Sequence, residues 1–439
     1  MKPSCESRDL PNIGVIGAGP CGLAIAKNLR EHGLTRFVVF EKNDQLGGNW
    51  LFDDKNTHSS IYETTHIISS KRLSQYEDFP MPADYPDYPS HRQLLRYFNQ
   101  YADHFGLKPF IRFNTQVVRV SRCTTGQWQV ISQDAMGEHE ELFDHLLVAN
   151  GHHWDPLMPD YPGAFTGSLL HSHQYKKASL FQDKRVLVVG GGNSACDIAV
   201  EIARISPKTC ISIRSGQHIF PKFIFGKPID VAFAKLHWMP FWCKQHVTQV
   251  IMRLWQGRYA KYQLKKPSTK PLETHPIINS ELLYFIRHGK VLPRDGIERF
   301  DGERVVFVDG RIEAFDTVIF ATGYQLSFPF FSPSFTQDSL RSCGSLYLKM
   351  IHPQLENLYF IGLFQPQGCI WPLADYQAKI AAGIISGTLP RATNVPSKIK
   401  KELKKSQNRF KSNPHQSLEV DYSVFRKQLL RELQQSIKY

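Results

Sequence analysis

Gly17-Ala18-Gly19-Pro20-Cys21-Gly22 follows the apolar run Ile13-Gly14-Val15-Ile16, and Gly190-Gly191-Gly192-Asn193-Ser194-Ala195 follows Val186-Leu187-Val188-Val189. Each reads as a turn from a strand into a helix. Glycines there allow the tight bend and a close backbone approach, and the helix N-terminus accepts a pyrophosphate. The first helix stops near Gly33, and the second runs through 196–205. Working outward, the strand Phe37–Phe40 ends at Glu41, 19 residues beyond Gly22, and the strand 209–213 ends at Arg214, 19 residues beyond Ala195. An acid at that place takes the hydroxyls of a ribose, whereas an arginine suits a 2′-phosphate. The pattern predicts two dinucleotides, FAD in the first half and NADPH in the second.

The chain has 439 residues, 42% hydrophobic and 21% charged, enough for two or three domains with an ordinary packed core. No apolar run approaches the roughly 18 residues of a membrane span, and the Met1-Lys2-Pro3-Ser4 start lacks a signal-peptide core. A cytoplasmic chain is expected. Its eight cysteines, at 5, 21, 123, 196, 210, 243, 343 and 369, include no close pair. Neither a disulfide framework nor the redox pair of a flavin disulfide reductase is predicted, and Cys21 and Cys196 read as small residues inside the turns. The net charge of +13 is concentrated in two segments: 222–270 carry +9 and 398–439 carry +7.

The expected fold class is α/β, with two Rossmann-like dinucleotide-binding domains and the second inserted into the first. Residues 1–160 form the first part of the FAD domain, 161–310 the NADPH domain with a basic, aromatic helical insert at 219–270, 311–395 the second part of the FAD domain, and 396–439 a basic extension. Ser90-His91-Arg92-Gln93 is a capping box opening a helix with Leu94, Leu95, Phe98 and Tyr101 on its apolar side. Val305 to Arg311 reads as a hairpin. Strands ending at Gly323 and near Gly362 bring the chain back to the first domain.

With these residues assembled, the chain resembles the flavin-containing monooxygenases. Phe165, Gly167, His171 and Tyr175 fit the FxGxxxHxxxY signature just upstream of the second fingerprint. Gly47-Gly48-Asn49-Trp50, Asp78-Phe79-Pro80, Asn193-Ser194, Ala321-Thr322-Gly323-Tyr324 and the stretch around Gly362, Pro366, Gly368 and Gln377 extend the likeness over about residues 10–390. The resemblance implies that FAD, reduced by NADPH, reacts with O2 to a C4a-(hydro)peroxyflavin that oxygenates soft nitrogen or sulfur nucleophiles. Gly17, Ala18, Gly19, Pro20, Cys21, Gly22, Glu41, Asn49 and Trp50 are the expected FAD residues. Gly190, Gly192, Ser194, Ala195, Cys196, Asp197 and Arg214 are the NADPH residues.

One departure stands out. Aligned from Asp78-Phe79-Pro80, the segment that usually carries an asparagine beside the flavin is Ile67-Ile68-Ser69-Ser70-Lys71, with Ile68 at the asparagine position. Ile68 and Ser69 are therefore expected at the reactive edge. His171 is read either with them as a catalytic group or as an interdomain packing histidine. His171 and His173 lack a third ligand, so no metal site is expected. The expected partners are a small nucleophilic substrate and O2, with nucleic acid not among them. Two rival functions are a Baeyer–Villiger-type oxygenase or uncoupled NADPH oxidase, and a flavoprotein docked on a membrane or partner. For the last, Val247, Ile251, Leu254, Trp255 and Tyr259 recur at helical spacing beside Arg253, Arg258 and Lys261. The stripe reads first as packing over the cleft, and alternatively as an interfacial helix on anionic lipid.

Overall fold

The computed structural model describes residues 10–54, 59–234, 236, 238–339, 345–410 and 418–434. Lys235, a residue of the basic insert, lies outside them.

The two glycine turns leave from the central strands of two parallel sheets. In the first, Ile13–Ile16 lies between Phe37–Phe40 and His145–Val148, with Ile111–Arg112 and Leu358–Phe360 at the edges. In the second, Arg185–Val189 lies between Lys208–Ser212 and Thr317–Phe320, with Val291–Arg294 and Ser168–His171 outside. The central strands are buried almost throughout, as parallel strands covered on both faces require. In each sheet the chain leaves the central strand to one side and later returns on the other. That reversal opens a crevice at the carboxyl ends of the strands, where ligands of such folds bind.

The first sheet is closed by residues far along the chain, since Leu358–Phe360 pairs with residues 146–148. The boundary expected at 310/311 is misplaced. It would cut the antiparallel pair Arg304–Phe307 and Ile312–Ala314, and it would assign to the first domain the strand Thr317–Phe320, which lies in the second sheet. The chain crosses back beyond Phe320, where Tyr324–Gln325 pairs with Asp155–Pro156 of the outward crossing.

Helix Pro20–Glu31 packs on helix Trp371–Ser386, and so does helix Tyr422–Leu433. Val395, Ile399, Phe425 and Leu429 join the same core as Leu23 and Ile25 of the first fingerprint helix. The described part of the basic C-terminal stretch is thus built into the first half rather than appended to it. In the basic insert, helix Phe241–Gln256 buries Gln245, Thr248 and Met252, and Gly257 ends it with φ 77°. The stripe read from the sequence is therefore split: Ile251 packs inward, Leu254 is 82% exposed, and Tyr259 lies beyond the helix.

Candidate active site

The first turn needs its glycines. Gly17 has φ +99°, and a Cβ there would stand 2.7 Å from the Ala149 carbonyl oxygen; one on Gly22 would stand 1.8 Å from the Gly17 oxygen. Any side chain would push helix and strand apart. Gly19 caps the helix without a side-chain bond and Pro20 opens it, which leaves the first-turn amides directed at the crevice. Gly48 crosses over this turn so closely that a Cβ would lie 2.9 Å from Gly19 Cα. Glu41 sits at the end of its strand, 4% exposed. Its carboxylate accepts from the Ala18 amide at 2.8 Å and from the backbone and side-chain nitrogens of Asn43 at 3.0 and 2.9 Å. Burial raises its pKa against the pull of these donors. An oriented, desolvated acid beside a cradle of bare glycines fits the ribose and pyrophosphate of FAD.

Other expected FAD residues have different tasks. The Cys21 thiol presses on Gly362, where a Cβ would come within 2.4 Å of its sulfur, and burial pushes the thiol up to about 12. Its side chain is a packing group, so only its backbone can meet a phosphate. Asn49 Oδ1 accepts from the Ser60 amide and hydroxyl, both at 2.8 Å, and Trp50 stands edge-on to Trp371 at 5.7 Å. Both fix the segment over the turn.

The second turn repeats the logic. Gly190 has φ +136°, with its missing Cβ 2.3 Å from the Ala321 oxygen, whereas a Cβ on Gly192 would meet nothing within 4 Å. The first is demanded by the protein, and the second leaves open space at the N-terminus of helix Asn193–Ile202. Ser194 is exposed on that first turn, and Ala195 is buried behind Gly190. Arg214 is exposed with its stem along Gly296, and it makes no hydrogen bond or ion pair among the described residues. A free guanidinium on this rim fits the 2′-phosphate of NADPH.

Two of the expected NADPH residues face away. Cys196 is fully buried in the core, and burial raises its thiol. Asp197 is enclosed by protein, accepting from the Tyr62 hydroxyl at 3.1 Å and from Asn279 Nδ2 at 2.6 Å. Burial raises its pKa. Asp197 therefore clamps the second fingerprint helix to the loop after Asn49. Thr64 repeats the bridge by donating to Glu201 at 2.9 Å.

Between the turns, residues 67–70 of the first half lie against the basic insert of the second. Ile68 packs on the cluster of Phe220, Ile224, Ile229, Met252 and Ile278. Ser69 Oγ is 2.8 Å from Ser74 Oγ, and the Ser70 amide donates to Asp230 at 2.6 Å. At this contact the Ile68 side chain brings no polar atom, and Ser69 Oγ already has a partner. His171 is elsewhere, at the crossing between the sheets, with its ring edge-on to Tyr324 at 5.2 Å and its Nδ1 accepting from the His173 amide at 3.1 Å. Burial pushes it down to about 4, so the ring is neutral at physiological pH. Tyr324 bonds to Ser60 and Ser172, which ties His171's strand to the segment held by Asn49. Of the two readings of His171, these contacts fit the interdomain packing histidine. Among the described residues no group of three His, Cys, Asp or Glu side chains could hold a metal ion.

Tyr62, Asp230 and Asn279 were not anticipated. None belongs to a motif, and their partners stand 135, 160 and 82 residues away.

Comparison with known proteins gives the family and the fold. The flavin-binding monooxygenase-like family profile matches residues 11–437. Flavin-containing monooxygenase 5 of Rattus norvegicus is 34% identical over 436 residues, covering 93% of this chain and 80% of the relative. Dimethylaniline monooxygenase [N-oxide-forming] 2 of Cavia porcellus is 33% identical over 443 residues, covering 96% and 82%. Among solved structures, S-allyl-L-cysteine S-oxygenase from Allium sativum superposes with a TM-score of 0.72 at 22% identity, covering 96% of this chain and 88% of that one. NADP+-bound cyclohexanone monooxygenase from Rhodococcus sp. Phi1 reaches 0.74 at 17%, covering 98% of each. The chain belongs to the flavin-binding monooxygenase-like family.

Proposed function

We propose that the chain uses NADPH and O2 to oxygenate soft nitrogen or sulfur nucleophiles. The carrying observation is the pair of glycine turns, one with a buried acid and one with a free arginine, bridged by Tyr62, Asp197 and Asn279. FAD, when bound and reduced by NADPH, supplies the activation of O2 and the oxygen atom that is transferred. The chain's own work is to hold and exclude. Glu41 would orient the flavin's ribose, Arg214 would select the phosphorylated nicotinamide nucleotide, and the Tyr62–Asp197 clamp would keep the two turns at a fixed separation. The apolar wall at Ile68 would keep water from the reacting edge. The deciding assay follows sulfoxide from methyl phenyl sulfide and N-oxide from N,N-dimethylaniline against NADPH consumed. Either product in excess of a peroxide-driven blank supports the reading, and neither product refutes it.

Ile68 favours a second reading, in which the same centre acts as an uncoupled NADPH oxidase or on ketones. An isoleucine side chain offers no hydrogen-bond donor to a flavin that would be held beside it. Hydrogen peroxide should accordingly account for part of the NADPH consumed, and Ile68→Asn should lower that fraction. Full coupling in the unmodified enzyme would remove the argument.

Among the described residues no helix is long and apolar enough to cross a membrane. Peripheral contact is proposed through the basic insert, where Phe225 (75% exposed), Trp242 (71%) and Leu254 (82%) accompany the exposed Arg253 and Arg258. Aromatic and cationic side chains together suit an anionic lipid surface. Cosedimentation with anionic vesicles should occur at low salt, weaken as salt rises and be lost in Trp242→Ser/Leu254→Ser. No binding at low salt would discard the proposal.

A further inference from the structure

The groove between the C-terminal helices Val395–Arg409 and Tyr422–Leu433 holds a cavity of about 630 Å³ that the two nucleotide sites do not use. This lies within the roughly 300–1,000 Å³ of small-molecule sites. Its apolar wall comes from Phe241, Phe410, Val420, Val424 and Phe425. Around that wall stand Lys349, Lys398, Lys401, Lys405, Arg409 and Arg431, against Glu402, Glu419 and Asp421.

The carboxylates balance only some of the cations, Lys398 being paired with Glu432 at 3.9 Å. Asp421 is spent on Arg409 and on capping its own helix through the Val424 amide at 2.8 Å. Glu402 accepts from the Leu348 amide and from Gln428, and burial pushes it up to about 7, so it carries only part of its charge near neutrality. Glu419 is buried and already engaged. By contrast, Lys401, Lys405 and Arg431 are exposed and have no hydrogen bond or ion pair among the described residues. Arg409 lies 4.3 Å over the Phe241 ring, and its Nε is buried without a hydrogen-bond partner among the described residues. A buried guanidinium N–H left unmet is costly and marks where an acceptor belongs.

We propose that this cavity binds a single-chain anionic amphiphile, its headgroup held by Arg409, Lys405 and Arg431 and its alkyl chain laid along Phe241, Val424 and Phe425. An anion alone would leave the aromatic wall unused, and a neutral hydrocarbon would leave Lys401, Lys405 and Arg431 unmet. The Lys401 ammonium, one turn before Lys405 on the same helix, adds to the positive rim.

The test is titration calorimetry of the FAD-loaded protein with laurate and with dodecyl phosphate, each below its micelle concentration, and with dodecyltrimethylammonium as the cationic control. At least one of the two anions should bind at one per chain, and the tighter of them identifies the headgroup; the control should bind at least about tenfold more weakly. Lys405→Glu/Arg431→Glu should weaken the anion about tenfold or more while NADPH oxidation continues unchanged, which reports an intact fold. Val424→Trp, which fills the apolar wall without altering charge, should also displace it. Equal binding of anion and cation, no binding of either anion, or unchanged anion affinity in both variants overturns the proposal.

Discussion

At the scale of single residues, the two strand ends divide the labour. Glu41 is buried and hydrogen-bonded to protein donors, whereas Arg214 is exposed and has no hydrogen bond or ion pair among the described residues. Arg214→Ala should therefore raise the Michaelis constant for NADPH by roughly ten- to a hundredfold, the worth of a charge-assisted bond of about 1.5–3 kcal/mol, and leave that for NADH nearly unchanged. Steady-state kinetics with both nucleotides checks it, and equal losses would assign the arginine a structural task. Both residues were legible in the sequence because a strand–turn–helix–strand unit fixes their distance from the glycines. Asp197 shows the limit of such reading. It lies in the right helix, but helical rotation turns it from the crevice into contact with Tyr62, a residue no local spacing connects to it. For His171 the sequence leaves two readings open, catalytic or interdomain packing, because a signature does not show burial; the ring is kept neutral by burial and lies edge-on to Tyr324.

At the scale of elements, the helix carrying the first turn is anchored by charge. Lys27, 1% exposed, lies 3.5 Å from Asp375 on helix Trp371–Ser386 and also pairs with Asp78. Burial acts to lower the lysine, but Asp375, Asp78 and Glu31 outweigh it and its pKa is raised. Asn28 Nδ2 donates to the same Asp375 oxygen at 2.7 Å. Asp375→Ala should cost about 1–3 kcal/mol, because Asn28 loses its acceptor and the buried ammonium loses one of three counter-charges while keeping Asp78 and Glu31. Denaturant unfolding together with FAD release would register it, and an unchanged midpoint would refute the anchor. The capping box at Ser90 and Gln93 could be read directly, since its rule spans three residues; the structure makes both of its bonds. A buried lysine leaves no such trace. Nor does the outer strand Gly137–Phe143, whose mostly polar, exposed side chains carry no apolar alternation; it is recruited by pairing with Trp128–Asp134.

At the scale of the whole molecule, acid should loosen the fold through histidines kept neutral inside it. His171 and His275 are both pushed down to about 4 by burial. An unfolded histidine takes its proton near 6.5, so as pH falls below that value the unfolded chain gains protons first, and the stability from these residues is lost between about 6.5 and 4. His171→Gln should flatten this fall and leave the curve parallel to the parent above 6.5. Urea unfolding at pH 5 and 7.5 measures it, and an identical acid slope in both proteins would exclude the histidine. The two-sheet plan was readable from repeated fingerprints, but the point of return was not, because Thr317–Phe320 and Leu358–Phe360 look alike as apolar strands and only pairing tells them apart.

The bridge of Tyr62, Asp197 and Asn279 has one more consequence. Among the described residues it shares no hydrogen bond with Arg214, so the contacts that tie the two halves together are separate from the residue proposed to select the nicotinamide nucleotide. Effects at well-separated sites without shared partners add. Substitution at Arg214 should then shift nucleotide preference, one surface residue at a time, without disturbing the bridge between the halves.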